Sequence, residues 1–470
     1  MNRTLISQTK DMVGQTVLLK GWVNVRRDHG KLIFLDMRDR TGIVQLVVNP
    51  KVSGEAHANA NELRNEYVFE VEGVVKARGE KLINPNLETG KVEVEVTKLN
   101  ILSKAKALPF EINSDTSGIN EEVRMKYRYL DLRSERMAKN LRLRNKAISL
   151  VREYLDKEGF VEIETPLLTK TSPEGARDFL VPSRLQPGKF YALPQSPQQY
   201  KQLLMIAGFE RYFQIARCMR DEDLRSDRQL EHTQIDMEMS FVTPKDVFEI
   251  VEGMMTHLFE SLGKKIWKKP FPIIIHEEAM KKYGADKFDM RPEDERDPNT
   301  FAFAWVVDFP LLEWDEDEKR FTFAHNPFSS PKPEHVEKLM QGQDLAGLRA
   351  DQYDLVCNGM ELASGGIRIS NPDIQRKVFE IMGLTPEQTE ERFGHLINAY
   401  EYGAPPHAGI APGLDRIVAL LAGEKDIREV TAFPVNSSGQ ASVMDAPSPA
   451  TEKQLKELHL KVDPPKGKKE

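Results

Sequence analysis

Phe213–Ser240 reads FQIARCMRDEDLRSDRQLEHTQIDMEMS, and its pattern decides the architecture of most of the chain. Phe213, Ile215 and Cys218 are spaced like the buried side of a strand, and Ile235, Met237 and Met239 resume that alternation. Between them lies a charged run holding Arg220, Asp221, Glu222, Asp223, Arg225, Asp227 and Arg228. The pattern predicts two antiparallel strands joined by a long, charge-dense loop. A loop of this length without glycine or proline is poorly built as a mere connector. An Arg leaves the strand, a Glu follows two residues later, and further arginines are flanked by carboxylates. Such a set suits a loop that handles phosphate and a base edge. The plainer alternative is a solvated hairpin tip laced with ion pairs.

With 470 residues the chain has room for two or more domains. It is 40% hydrophobic and 30% charged, with a net charge of −7, as in an ordinary soluble enzyme. No apolar run approaches the roughly 18 residues needed to span a bilayer. The opening MNRTLISQTKDM has no apolar stretch or cleavage site, so no signal peptide is expected. Cys218 and Cys357 are too few for a disulfide framework or a zinc cluster. Buried free thiols in a reducing, cytoplasmic setting are expected instead. Charge is unevenly spread: residues 1–110 hold 17 Lys+Arg against 13 Asp+Glu, an excess of positive charge in a negative chain. A polyanionic partner therefore suits the N-terminal part.

That part reads as short strands at Thr16–Val25, Lys31–Leu35, Ile43–Val48, Tyr67–Val75 and Val92–Leu102, with a helix at Gly54–Asn65. Five strands with a helix between the third and fourth predict an OB-fold barrel over residues 1–105, a common oligonucleotide-binding module. Phe34 offers a stacking face, and Arg26 and Arg27 offer phosphate contacts. Residues 106–135, with Pro109 and a polar NSDTSG run, read as a linker. From Ser134 to Glu158 the apolar spacing predicts a long amphipathic helix, ended by Gly159 before a short strand.

Arg220-Asp221-Glu222 followed by DLRSDRQ and TQID resembles the second signature motif of class II aminoacyl-tRNA synthetases, in the form found in bacterial aspartyl enzymes. The Gly-Phe junction after the long helix resembles the first motif, and GAPPHAGIAPGLDRIVALLAG (Gly403–Gly423) resembles the third. The resemblance implies an α+β chain: an OB-fold anticodon-binding barrel, and a class II catalytic domain over residues 136–470 built on an antiparallel sheet flanked by helices. It implies a homodimer joined through the first motif. Bacterial relatives carry a whole inserted domain after the YGxDKxD segment; here only a short polar run, about 291–300, stands in its place.

The same resemblance implies an aspartate–tRNA ligase, which forms aspartyl-adenylate from L-aspartate and ATP and transfers it to the 3′ end of tRNA. Aspartate would be held by Glu174, Ser196, Gln198, Lys201, Arg220, Asp236, His325 and Arg368. ATP would meet Arg220, Asp221, Glu222, Gln229, His232, Glu361, Gly413, Leu414, Asp415 and Arg416, with Mg²⁺ on Asp354 and Glu361. Arg220, Glu361 and Arg416 carry the chemistry, and Arg225 touches the acceptor end. Arg27, His29, Phe34, Gln45, Arg78, Asn84 and Glu93 match anticodon positions. Lys201 and Arg368 would face an asparagine amide as unpaired buried charge, so asparagine is rejected.

Several positions depart from the family. His232 stands where an adenine-stacking Phe is usual, Asn326 where a second His is usual, and Leu82 where a polar residue is common. His29 leans towards charging both aspartate and asparagine tRNAs, and Lys81 leans the other way. The rival readings are an asparaginyl-tRNA synthetase and a non-catalytic RNA-binding paralogue, which would have lost Arg220, Glu361 or Arg416.

Overall fold

The structure, a computed structural model, describes residues 1–171 and 174–463. It divides into two compact units, Met1–Ser117 and Gly118–Glu470.

The first unit is a closed five-stranded barrel: β1 (Thr16–His29), β2 (Leu32–Asp39), β3 (Gly42–Val48), β4 (Val68–Ala77) and β5 (Val92–Ser103), in the order β1-β2-β3-β5-β4. Strict alternation sends Val17, Leu19, Leu35, Leu46, Val71 and Val94 into the core. Gly21 and Gly73 let strands cross closely, since a Cβ there would lie 2.3 Å from the Arg38 carbonyl and 2.5 Å from that of Glu95. The helix between β3 and β4, Gly54–Glu62, is capped by the Ser53 hydroxyl, which accepts from the Ala56 N–H. β1 runs four residues further than the apolar pattern suggested because its end carries exposed polar residues of the hairpin, and β2 runs on through Met37 and Asp39, which are buried between polar neighbours.

The second unit is built on an eight-stranded sheet. From one edge its strands are Ile273–Ile275, Phe303–Val307, Gln352–Cys357, Met360–Ile367, His407–Pro412, Glu231–Ser240, Arg211–Met219 and Val161–Glu162. The inner six pair antiparallel, as expected. At both edges the sheet is extended by a short strand, Ile273–Ile275 and Val161–Glu162, each pairing parallel to its neighbour. Each edge strand enters after a crossover rather than a hairpin, which permits the parallel direction.

Helices Glu135–Lys157, Pro244–Ser261 and Leu414–Ala422 bury their apolar stripes against one sheet face, meeting Ile235, Met237, Met239, Trp305, Tyr353 and Ile410. Period two then aims Asp236 and Glu238 at the opposite face. Both cysteines are buried free thiols. The run expected as a remnant of the insertion is a tight staple. Arg291 forks onto Asp289 and donates to the carbonyls of Asp297 (3.0 Å) and Thr300 (2.6 Å). Among the described residues no helix is long and apolar enough to cross a membrane.

Candidate active site

The cavity on the open face of the sheet is floored by four buried charges. Lys201, on the first turns of helix Gln198–Ile206, lies 2.9 Å from Asp236 and 3.3 Å from Glu238. Arg368 donates to Glu238 through Nε (2.9 Å) and Nη2 (3.3 Å). The expectation that an asparagine amide would leave Lys201 and Arg368 as unpaired buried charge is corrected, because Asp236 and Glu238 already pair with them. Burial pushes the Asp236 carboxyl up, and Lys201 offsets part of that. Burial acts on Glu238 too, but Arg368 and Lys201 outweigh it and hold its carboxyl below the usual range. Oδ1 of Asp236 is buried and has no hydrogen-bond partner among the described residues, so one acceptor remains at the floor.

Glu174 and Ser196 form one wall, the Ser196 hydroxyl donating to Glu174 at 2.5 Å. Gln195 staples the turn carrying Glu174, accepting from the Ala176 N–H and donating to its carbonyl. Pro173, the first residue of the PEGARDF run, lies outside the described residues. Gln198 lines the cavity and donates to Gln202. His325 packs edge-on against Phe309 (4.7 Å), and burial lowers its basicity.

The charged hairpin loop forms the opposite wall. Arg220 leaves its strand pinned by Nε to the Gln195 carbonyl (3.2 Å). Glu222 is held by Arg228 at 2.7 Å, which fixes its carboxylate for a donor above it. Gln229 keeps a buried Oε1 without a partner among the described residues. Arg416 donates to the Glu361 carbonyl (2.9 Å) and reaches Asp227 at 3.3 Å. His232 sits among these groups. Burial, followed by Arg220, Arg416, Arg217 and Arg228, lowers its pKa to about 3, so its ring is neutral.

Asp354 and Glu361 stand on adjacent antiparallel strands. Burial, reinforced by Glu361, raises Asp354 well above the usual carboxylate range. Burial acts likewise on Glu361, but Arg416 and Lys287 outweigh it and hold it below that range. Asp354 Oδ1 is buried without a partner among the described residues. Two mutually repelling carboxylates, one with an orphaned oxygen, have the donor chemistry that a Mg²⁺ would need.

Lys201, Arg220, Arg368 and Arg416 thus line one cavity, as do Glu174, Ser196, Gln198, Glu222, Gln229, His232, Asp236, His325, Glu361, Gly413 and Asp415. Other expected residues stand elsewhere. Leu414 is wholly buried in the helix core, because its position on the first turn faces the sheet. Asp221 turns away to pair with Arg177, and Asp354 is buried, paired across the sheet with the cavity-lining Ser364 but not itself among the lining residues. Asp415 reaches the cavity, but its carboxylate is taken by Arg144 of the long helix (2.5 Å) and the Thr233 N–H (2.7 Å). Its contact is structural. Arg225 is exposed at the loop tip, consistent with a role outside the cavity.

Sequence reasoning missed Glu238, Arg144 and Lys287, while Asp227 and Arg228 were read only as members of the charged loop. Only Glu238 left a signal: acidic residues at positions 236 and 238 of an otherwise apolar strand share one face.

On the barrel, Arg27 pairs with Asp36 (2.8 Å) and reaches Gln45 (3.3 Å), which donates to Glu93 (3.1 Å). Arg78 lies 3.6 Å from Glu93. Phe34 is cross-strand from Arg27, so an aromatic and a polar network share one outer face. His29 lies exposed at the end of β1, and Asn84 stands in the β4–β5 loop beside exposed Leu82.

The family described as class II tRNA synthetases (D, K and N) matches residues 120–437, and an OB-fold nucleic acid binding domain matches residues 17–102. An aspartate–tRNA ligase of Staphylococcus carnosus is 41% identical over 577 residues, covering 97% of this chain and 98% of that protein. An aspartate–tRNA(Asp/Asn) ligase of Anoxybacillus flavithermus is 42% identical, covering 96% of each. The 577-position alignment holds only about 456 residues of this chain, so about 120 positions of the relative have no counterpart here. Among solved structures, an asparaginyl-tRNA synthetase of Pyrococcus horikoshii with asparaginyl-adenylate shares the fold (TM-score 0.74, 23% identity, 92% of this chain and 98% of that one). So does an aspartyl-tRNA synthetase of Entamoeba histolytica (TM-score 0.72, 23% identity, 92% and 91%). The chain therefore belongs to the class II tRNA synthetases of the D, K and N family, within its aspartate–tRNA ligase branch.

Proposed function

We propose that the cavity makes aspartyl-adenylate from L-aspartate and magnesium-bound ATP, and then passes the aspartyl group to the 3′ end of tRNA. The observation that carries this reading is the convergence of Lys201, Arg220, Arg368 and Arg416 on one cavity. The two floor cations suit the side-chain carboxylate of aspartate, and Glu174 with Ser196 suits its ammonium. Arg220 is the residue to meet the α-phosphate, where charge builds as the aspartate carboxylate attacks. That nucleophile is an anion at neutral pH, so the first step needs no general base. Arg416 suits the distal phosphates, and Glu222 suits the adenine amino group. Asp354 and Glu361 would hold Mg²⁺, which neutralises phosphate charge when bound.

Asparagine is disfavoured because the floor keeps donor groups beyond those used by Asp236 and Glu238, and these gain most from an anionic ligand. Aspartate-dependent exchange of pyrophosphate into ATP tests the reading. No exchange with aspartate, or preference for asparagine, would overturn it.

The outer face of the barrel, with Arg27, Phe34, Gln45, Arg78 and Glu93, is the surface for the anticodon loop, with Asn84 and His29 at its margins. A relative named aspartate–tRNA ligase and one named aspartate–tRNA(Asp/Asn) ligase match this chain about equally well. Exposed His29 favours the broader use. Charging the two purified tRNAs side by side decides it. A homodimer through the long helix and the edge strand Val161–Glu162 completes the reading, and sedimentation checks it.

A further inference from the structure

Glu361 is flanked on both sides. Arg416 Nη1 lies 3.7 Å from Oε1, and Lys287 Nζ lies 2.8 Å from Oε2. Lys287 comes from the segment after helix His276–Tyr283, well apart from the signature motifs. Its position is built. Gly284 ends that helix in the left-handed conformation (φ 70°) and turns the chain back towards the sheet. The next residue after Lys287, Phe288, is buried against Ala304, Val306 and Val356 and stacks on Tyr283 at 4.3 Å. The Phe288 carbonyl accepts from the Gly359 N–H at 3.0 Å, in the turn that joins the strands of Asp354 and Glu361. Arg291 and Asp289 staple the far side. The Lys287 backbone is thus tied to the same hairpin that carries its partner, while its side chain stays about half exposed and able to swing away.

We propose that Lys287 is a tethered counterion that competes with the divalent cation for Glu361. This rests on the reading of Asp354 and Glu361 as the magnesium carboxylates. A cation arriving at Glu361 must share Oε2 with Lys287 or displace it. The ammonium holds Glu361 in place beside Asp354, and it lowers the affinity of the pair for a metal ion that comes without its nucleotide. Nucleotide phosphates compensate, because they offer Lys287 and Arg416 other anionic partners. Lys287 therefore makes metal uptake depend on ATP.

Mn²⁺ titration of the full chain without nucleotide, followed by electron paramagnetic resonance of the free ion, tests this. Glu361→Gln defines the binding that belongs to the site. Lys287→Met is expected to bind Mn²⁺ about three- to tenfold more tightly than the parent, and Lys287→Arg to behave like the parent. Unchanged or weaker binding by Lys287→Met, with Glu361-dependent binding present in the parent, overturns the proposal alone. If neither protein shows binding that Glu361→Gln removes, the magnesium reading falls and the proposal falls with it.

Discussion

Arg220 and His232 line the same cavity with opposite characters. Arg220 brings a fixed charge held by the Gln195 carbonyl, and such preorganised charge in a water-poor site is a main source of rate. Arg220→Gln is expected to lower the aspartate-dependent exchange rate about 10²- to 10³-fold, with a much smaller change in aspartate binding. Equal losses in rate and in ground-state affinity would deny it the transition-state role. His232 offers a flat neutral ring with less apolar area than phenylalanine, so His232→Phe should tighten ATP binding about threefold in a nucleotide titration. Its pKa of about 3 also predicts no titration of this ring between pH 8 and 5 by nuclear magnetic resonance. The sign for stability follows. The unfolded imidazole, near 6.5, takes its proton first as pH falls, so His232 costs stability progressively from pH 6.5 down to about 3 and nothing above. His232→Phe should flatten the acid limb of the denaturation curve by that amount.

At the scale of elements, the floor exists because strands of the sheet approach unusually closely. A Cβ on Gly365 would lie 2.3 Å from the Gly409 carbonyl, and one on Gly409 would lie 1.7 Å from Glu238 Oε2. Neither glycine is there for a turn; each leaves room for a neighbouring strand or for the carboxylate that holds Arg368. Gly409→Ala should push Glu238 off Arg368 and lower stability by about 3 kcal/mol, read as a shift in the urea midpoint, with loss of exchange activity. An unshifted midpoint would mean that the strands can separate at little cost. The clamp of Arg144 on Asp415 and Thr233 joins the long helix, the third-motif helix and the hairpin at one point. The third motif thus carries an Asp that braces and an Arg that lines the cavity.

At the scale of the molecule, each unit has its own closed core, the barrel by itself and the sheet with its helices. Units so built are expected to fold alone. Residues 118–470 by themselves should retain aspartate-dependent exchange within about threefold, while charging of tRNA falls at least about a hundredfold. Matching losses in both assays would show that adenylate formation needs the barrel. The positive excess of the N-terminal part also predicts that the KM for tRNA rises steeply with salt while exchange changes little.

What the sequence determined by itself was local in origin. Period-two runs marked the barrel strands and the hairpin of Arg211–Met219 and Glu231–Ser240, because a buried face repeats every second residue. A charged loop without glycine or proline marked Arg220 and Glu222, whereas Arg416 became legible only through the resemblance to the third motif. The aspartate and ATP residues became legible as a set only through the family's motifs. The tertiary structure alone decided which charges meet. Arg368 finds Glu238 across 130 positions of sequence, Lys287 finds Glu361, and Leu414 turns inward while Asp415 goes to Arg144. Such pairings depend on strand order and close backbone approach, which place distant residues within about 3 Å without leaving a period in the chain.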